Sequence, residues 1–139
     1  MSLVAASPAY AKKIGPHGGR PLYVTLSGAQ VVPGPGDANA TGRATLTLNQ
    51  GQGEICYTIQ VNNASAAPTG ASIYSGKSGA TGALAVNLNA AFDANGYSKG
   101  CVTGLSKSLI MGIRQKPADY YLEVATPDGG VRGQLSKKG

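Results

Sequence analysis

Tryptophan is absent from this chain of 139 residues; phenylalanine and histidine occur once each, cysteine twice, and charged residues make up only 13%. Each shortage excludes something. The interior cannot be built on large aromatics and must rest on Leu, Val, Ile and the seven Tyr. One histidine cannot furnish a site of converging imidazoles. No apolar run approaches the roughly 20 residues that a membrane-spanning helix needs. Strong helix formers are sparse, so long amphipathic helices are not expected.

What is abundant is turn chemistry: 21 Gly and 8 Pro, interspersed with Thr, Ser, Ala and Val. This profile suits short strands, and the length fits one domain able to bury a core. The net charge of +6 comes from twelve Lys/Arg against six acids. These cations are scattered, with doublets only at Lys12–Lys13 and Lys137–Lys138. A nucleic-acid reader concentrates charge on one face and interleaves aromatics. No such pattern occurs, which implies a solvated basic surface with weak attraction for acidic polymers rather than specific nucleic-acid binding.

The leader reads as a signal-peptide remnant. Ala9-Tyr10-Ala11 has the small-x-small form of a signal-peptidase site, which would make Lys12 the mature start; an Ala-rich leader without that role is the alternative. An exported chain is secreted or periplasmic, where thiols oxidise. Cys56 and Cys101 lie in no CxxC pair and have no neighbouring His. Their simplest use is one bridge closing a loop of 45 residues (101 minus 56), with two buried free thiols as the alternative. By the chain-entropy argument such a bridge stabilises by roughly 3–4 kcal/mol.

Residues 12–21 (KKIGPHGGRP) lack apolar periodicity and read as a flexible arm, so residues 1–21 are expected to precede a domain spanning 22–139. Alternation then begins. Leu22, Val24 and Leu26 share one strand face; Ala44, Leu46 and Leu48 share another within 43–49; Ile55, Tyr57, Ile59 and Val61 share a third, with Cys56 opposite. These three segments predict an antiparallel meander joined at residues 50–53. Shorter strands are expected around 70–74, 83–88, 120–125 and 131–135, with 89–100 irregular and Cys101-Val102 following it. Residues 105–115 carry the one helical segment, with Leu105, Leu109 and Ile113 at helical spacing and Pro117 as its stop. The sum is an all-β, Greek-key antiparallel β-sandwich of about seven to eight short strands with one short helical turn.

Five segments in order resemble the chordin-type (CHRD) domain family: LSGAQVVP at 26–33, ATGRA at 40–44, CYTI at 56–59, PADYYLEV at 117–124 and GVRGQL at 130–135. The resemblance spans about residues 22–135. It implies an exported protein with a sandwich similar to copper–zinc superoxide dismutase; animal members occur in proteins that bind secreted growth factors. The departures are specific. Members usually carry Ala-His-Ile-His on the fourth strand and Val-His-Thr near the end. Here those segments read Ala71-Ser72-Ile73-Tyr74 and Val124-Ala125-Thr126, so Ser72, Tyr74 and Ala125 stand where the family has imidazoles.

Metal chemistry on histidines therefore has no ligands here, and no cofactor is expected. A Ser–His–Asp triad lacks its His within the domain, since His17 lies in the arm. The six carboxylates (Asp37, Glu54, Asp93, Asp119, Glu123, Asp128) form no sequence pair typical of acid–base work, and no catalytic residue is assigned. Residues 75–82 lack the Gly-Lys-Ser/Thr ending of a phosphate loop. Arg132, a charge inside a strand, is expected to bridge Glu123 or another acid on a neighbouring strand.

Two functional expectations remain once catalysis is set aside. The first is an extracellular structural subunit that assembles with copies of itself into a filament or matrix, its arm (Lys12, Lys13, Ile14, His17, Arg20) adding a strand to a sheet edge of the next copy. The second is a monomeric adhesion or ligand-binding module using the loops at 33–41 and 75–82. A degenerate superoxide dismutase-like enzyme is the third and weakest reading.

Overall fold

The computed structural model describes residues 20–138. Eight strands run β1 Arg20–Ser27, β2 Thr41–Asn49, β3 Glu54–Asn62, β4 Gly70–Ser75, β5 Leu84–Asn87, β6 Tyr97–Val102, β7 Tyr120–Ala125 and β8 Val131–Ser136, with one helix, α1 Lys107–Gln115, between β6 and β7. They form one antiparallel sheet in the order β5-β4-β7-β8-β1-β2-β3-β6. The expected meander is its centre: β1 pairs with β2 and β2 with β3 along their full lengths. The chain then crosses from β3 to β4 and from β5 to β6, and β8 returns beside β1, the long connections that a Greek key requires.

Alternation explains why the sheet curls. Inward residues from nearly every strand enter one core, including Leu22, Leu46, Ile59, Ile73, Val86, Leu122 and Leu135. A flat sheet could not bring the two ends of this order into one apolar cluster, so the eight strands close into a half-barrel, sandwich-like fold. Tyr57 on β3 donates its buried hydroxyl proton to the Leu88 carbonyl, just after β5, at 3.4 Å, tying near-opposite ends of the order together.

Several boundaries differ from expectation. β1 opens at Arg20 rather than Leu22; Arg20, assigned to the arm, pairs with Leu48 and Pro21 with Thr47. β6 starts at Tyr97, inside the stretch expected to be irregular. Its segment Tyr97-Ser98-Lys99-Gly100 turns only small Ser98 inward, so an edge strand formed without an apolar signal. The helix begins later than expected, capped by the Ser106 hydroxyl, which accepts from the Leu109 amide at 3.1 Å. Its buried residues are Ile110 and Ile113; Leu105 and Leu109 pack only partly against the core. Residues 50–53 form a short 3-10 turn closed by Gly53 at φ 64°, a left-handed backbone that suits glycine.

Candidate functional site

The polar face of the half-barrel is organised by register. Directly opposed across five strands lie Asn87 (β5), Ser72 (β4), Glu123 (β7), Arg132 (β8) and Ser27 (β1). One step along, Tyr74 opposes Tyr121, which opposes Gln134. Alternation makes this arrangement obligatory: Ala71, Ile73, Leu122 and Val124 enter the core, so their strand neighbours must face outward.

Half of this face is covered. The loop at 76–82 lies over it, anchored through its backbone. Arg132 Nη2 donates to the Lys77 carbonyl at 3.0 Å, Gln134 Nε2 donates to the Gly76 carbonyl at 3.0 Å, and the Gly82 amide donates to the Tyr121 hydroxyl at 3.3 Å. Arg132 is consequently wholly buried. It opposes Glu123 in register but forms no ion pair with it; among the described residues the salt bridge is Lys77–Asp119 at 3.9 Å, and Arg132 instead also donates to Gln134 Oε1 at 3.1 Å. The expected cross-strand Arg–Glu bridge is thus replaced by a stack on Tyr121 and a loop carbonyl, because the loop shields the guanidinium.

The other half remains open as a shallow cleft of about 420 Å³ at the β5-β4-β7 end. Ser72 and Tyr74 on β4 meet Ala125, distant in sequence on β7, in its wall, joined by Thr69, Asn87, Asn89 and Glu123. Among the described residues no lysine or arginine lines it. Burial raises the proton affinity of the Glu123 carboxyl above the ordinary carboxylate range, and the positive Arg132 nearby only partly offsets this. Asn87 Oδ1 accepts from the Asn89 amide at 2.9 Å and fixes the turn that carries Asn89. One carboxylate, an amide pair and hydroxyls do not make a transition-metal site: no imidazole or thiolate is present and the three positions that would supply nitrogen hold Ser, Tyr and Ala.

One protein family matches this chain in sequence. Its CHRD domain model matches residues 22–135. The chain belongs to the CHRD domain family. Comparison with curated proteins and with solved structures returned no match. The CHRD domain is closed by the expected bridge: Cys56 on β3 is bonded to Cys101, its direct partner on β6. Family and disulfide together point to an extracellular or secreted protein. No helix among the described residues is long and apolar enough to cross a membrane.

The remaining sequence-predicted positions scatter. Lys12, Lys13, Ile14 and His17, with the leader before them, lie outside the described residues. Glu54 approaches Cys56 and Cys101, but both sulfurs are spent in the disulfide and neither is a thiolate ligand. The loop at 33–41 is pinned rather than free. Buried Asp37 accepts the Thr126 hydroxyl proton at 2.8 Å and the Asn39 amide at 3.2 Å, and its own amide donates to the Gly130 carbonyl at 2.8 Å. Thr69, Asn87 and Asn89 carried no signal in sequence, because polar residues beside a turn look the same whether or not they converge.

Proposed function

We propose that this CHRD domain is a non-catalytic extracellular module that works by binding, with the cleft at the β5-β4-β7 end as its contact site. One observation carries the reading. Among the described residues, the side chains of Thr69, Ser72, Tyr74, Asn89 and Glu123 all border the cleft and none is engaged in a hydrogen bond within the fold. Polar side chains with unspent capacity, gathered in one concavity, are what a ligand would complete. Catalysis finds less support there, since a single carboxyl stands without an imidazole or thiol partner.

The test is to fill the cleft. Ser72→Trp places a large ring in its centre without touching the core. Wild type and variant are compared for retention on intact cells and secreted matrix of the producing organism. Retention lost in the variant supports the cleft; equal retention removes it as the contact site.

A second reading, self-assembly into an extracellular filament or matrix, is favoured by β6. Among the described residues this strand of six has one neighbour and so offers a hydrogen-bonding edge to another chain, tempered by Lys99 at its middle. Light scattering on the full chain and on a chain starting at Arg20 decides it. Particles formed only by the full chain favour assembly through the arm, with acidic polymers then no more than surface partners; monomers in both cases rule it out.

A further inference from the structure

We infer that the cleft takes a neutral, hydroxyl-rich ligand, namely a sugar unit of an extracellular polysaccharide. The inference rests on the reading that the cleft is the binding site, and charge narrows the choice first. A chain of net charge +6 has every means to line a site with cations, yet among the described residues none borders this one. An acidic glycan or phosphate would meet Glu123, while the neighbouring Arg132 is wholly buried and out of its reach. A metal ion would find one carboxylate among neutral groups, and an apolar ligand would strand several polar side chains in a dry contact.

The inventory of groups narrows it further. Thr69, Ser72 and Tyr74 contribute hydroxyls, each able both to donate and to accept, and the Asn89 amide does both through separate atoms. Neighbouring hydroxyls on a sugar ring demand that mixture, because each is donor and acceptor at once. Glu123 fits the same role. Half-buried beside Ser72, it accepts when ionised and can donate when protonated, and burial moves the range over which both forms occur to higher pH.

The third element is a rigid ring. Tyr74 stacks on Tyr121 with centroids 5.3 Å apart and planes 14° from parallel. Tyr121 is itself capped by Arg132, 3.4 Å above its centroid, and held through its hydroxyl by the Gly82 amide. Of this three-membered stack only the outermost ring, Tyr74, lines the cleft. A ring fixed from behind offers apolar surface for the C–H face of a pyranose with little rotamer entropy left to lose.

The experiment is a ¹H–¹⁵N NMR titration of the full chain with maltohexaose and with cellohexaose, using hexagalacturonate as the acidic counterpart and glycerol as a generic polyol. Saturable shifts confined to β4, β7 and residues 87–90 are expected with at least one neutral oligosaccharide, weaker effects with hexagalacturonate, and none that saturate with glycerol. Tyr74→Ala should weaken binding by about tenfold or more, while Tyr74→Phe keeps most of it. If Tyr74→Ala disturbs the fold, Asn89→Gly serves instead: residue 89 has φ 52°, which glycine adopts freely, and losing its amide should weaken binding several-fold. No saturable shift with either neutral oligosaccharide, or tighter binding of hexagalacturonate, overturns the sugar assignment. If that happens while Ser72→Trp still abolishes retention on cells, only the ligand class is wrong. If Ser72→Trp leaves retention unchanged, the cleft and the sugar fall together.

Discussion

Arg132 lies over Tyr121 on the neighbouring strand, its guanidinium carbon 3.4 Å from the ring centroid, and among the described residues it has no carboxylate within ion-pair distance. The guanidinium is wholly buried, and among the described residues its Nη1 has no hydrogen-bond partner. A buried cation without a counter-ion costs stability unless polarisable and polar groups compensate. Here the ring, the Lys77 carbonyl and Gln134 share that task, so Arg132 is the pin that holds the loop at 76–82 onto the sheet.

Removing the pin should therefore act on the loop and on stability together. Arg132→Ala loses the stack, the carbonyl contact and the packing of the stem, and we expect a cost of about 3 kcal/mol or more. Arg132→Lys should recover little, because an ammonium cannot lie flat on the ring while reaching Lys77 and Gln134. Urea unfolding gives the magnitude, and hydrogen exchange at Gly76 and Gly82 shows whether the loop has lifted. A stable variant with an unchanged loop would mean that the contacts of Gln134, Tyr121 and Asp119 suffice to hold it.

Glu123 predicts a pH dependence. Its folded-state proton affinity is raised chiefly by burial, with Arg132 opposing. The sign follows from linkage: a carboxyl whose pKa is higher folded than unfolded adds no penalty while both states are protonated, and loses stability for the fold as pH rises through the folded pKa. Glu123→Gln removes that penalty. Thermal melts should match those of wild type near pH 3 and lie higher for the variant above about pH 6. The opposite ordering would show that Arg132 outweighs desolvation at this site.

The alternation of Leu22, Val24 and Leu26, and of Ile55 through Val61, was enough to place the central meander, since each strand has one face in the core. Strand β6 was illegible for the same reason in reverse. An edge strand turning Ser98 inward and Tyr97 and Lys99 outward has no apolar period to read. The cleft was half legible. Ser72, Tyr74 and Ala125 stood out as departures from a family pattern, but that they share a wall with Thr69, Asn89 and Glu123 depends on register across β5, β4 and β7, which no local pattern encodes. Arg132 misled because a charge in a strand suggests a partner charge, whereas its surroundings are set by a loop arriving from 55 residues away.

The disulfide makes a separable contribution. Cys56 and Cys101 are direct partners on β3 and β6, and they close a loop of 45 residues. Reduction, or replacement of both by Ala, should lower stability by about 3–4 kcal/mol while the β1–β2–β3 meander stays protected. Loss should begin at β6, an edge strand with a single hydrogen-bonded neighbour. Urea midpoints with and without reductant, read beside amide exchange of residues 97–102, check both statements. An unchanged midpoint would show that the β3–β6 pairing is sufficient without the covalent link.

Asp37 and Thr126 form the second internal lock, joining the loop after β1 to the turn between β7 and β8. The Thr126 hydroxyl donates to Asp37 Oδ2 at 2.8 Å and accepts from the Gly130 amide at 3.0 Å, while Asp37 Oδ1 takes the Asn39 amide. Both residues are buried, so every broken contact strands a polar group. Asp37→Ala and Thr126→Val should each cost about 2 kcal/mol, and the double variant clearly less than their sum, because each single change already breaks the shared bond. Asp37→Asn should recover little. Its amide can donate to the Thr126 oxygen, but the hydroxyl proton then has no acceptor, and that oxygen already receives the Gly130 amide. Chemical denaturation of the four chains measures the coupling. Strict additivity would mean that the loop at 33–41 is held by its backbone bond to Gly130 rather than by this pair.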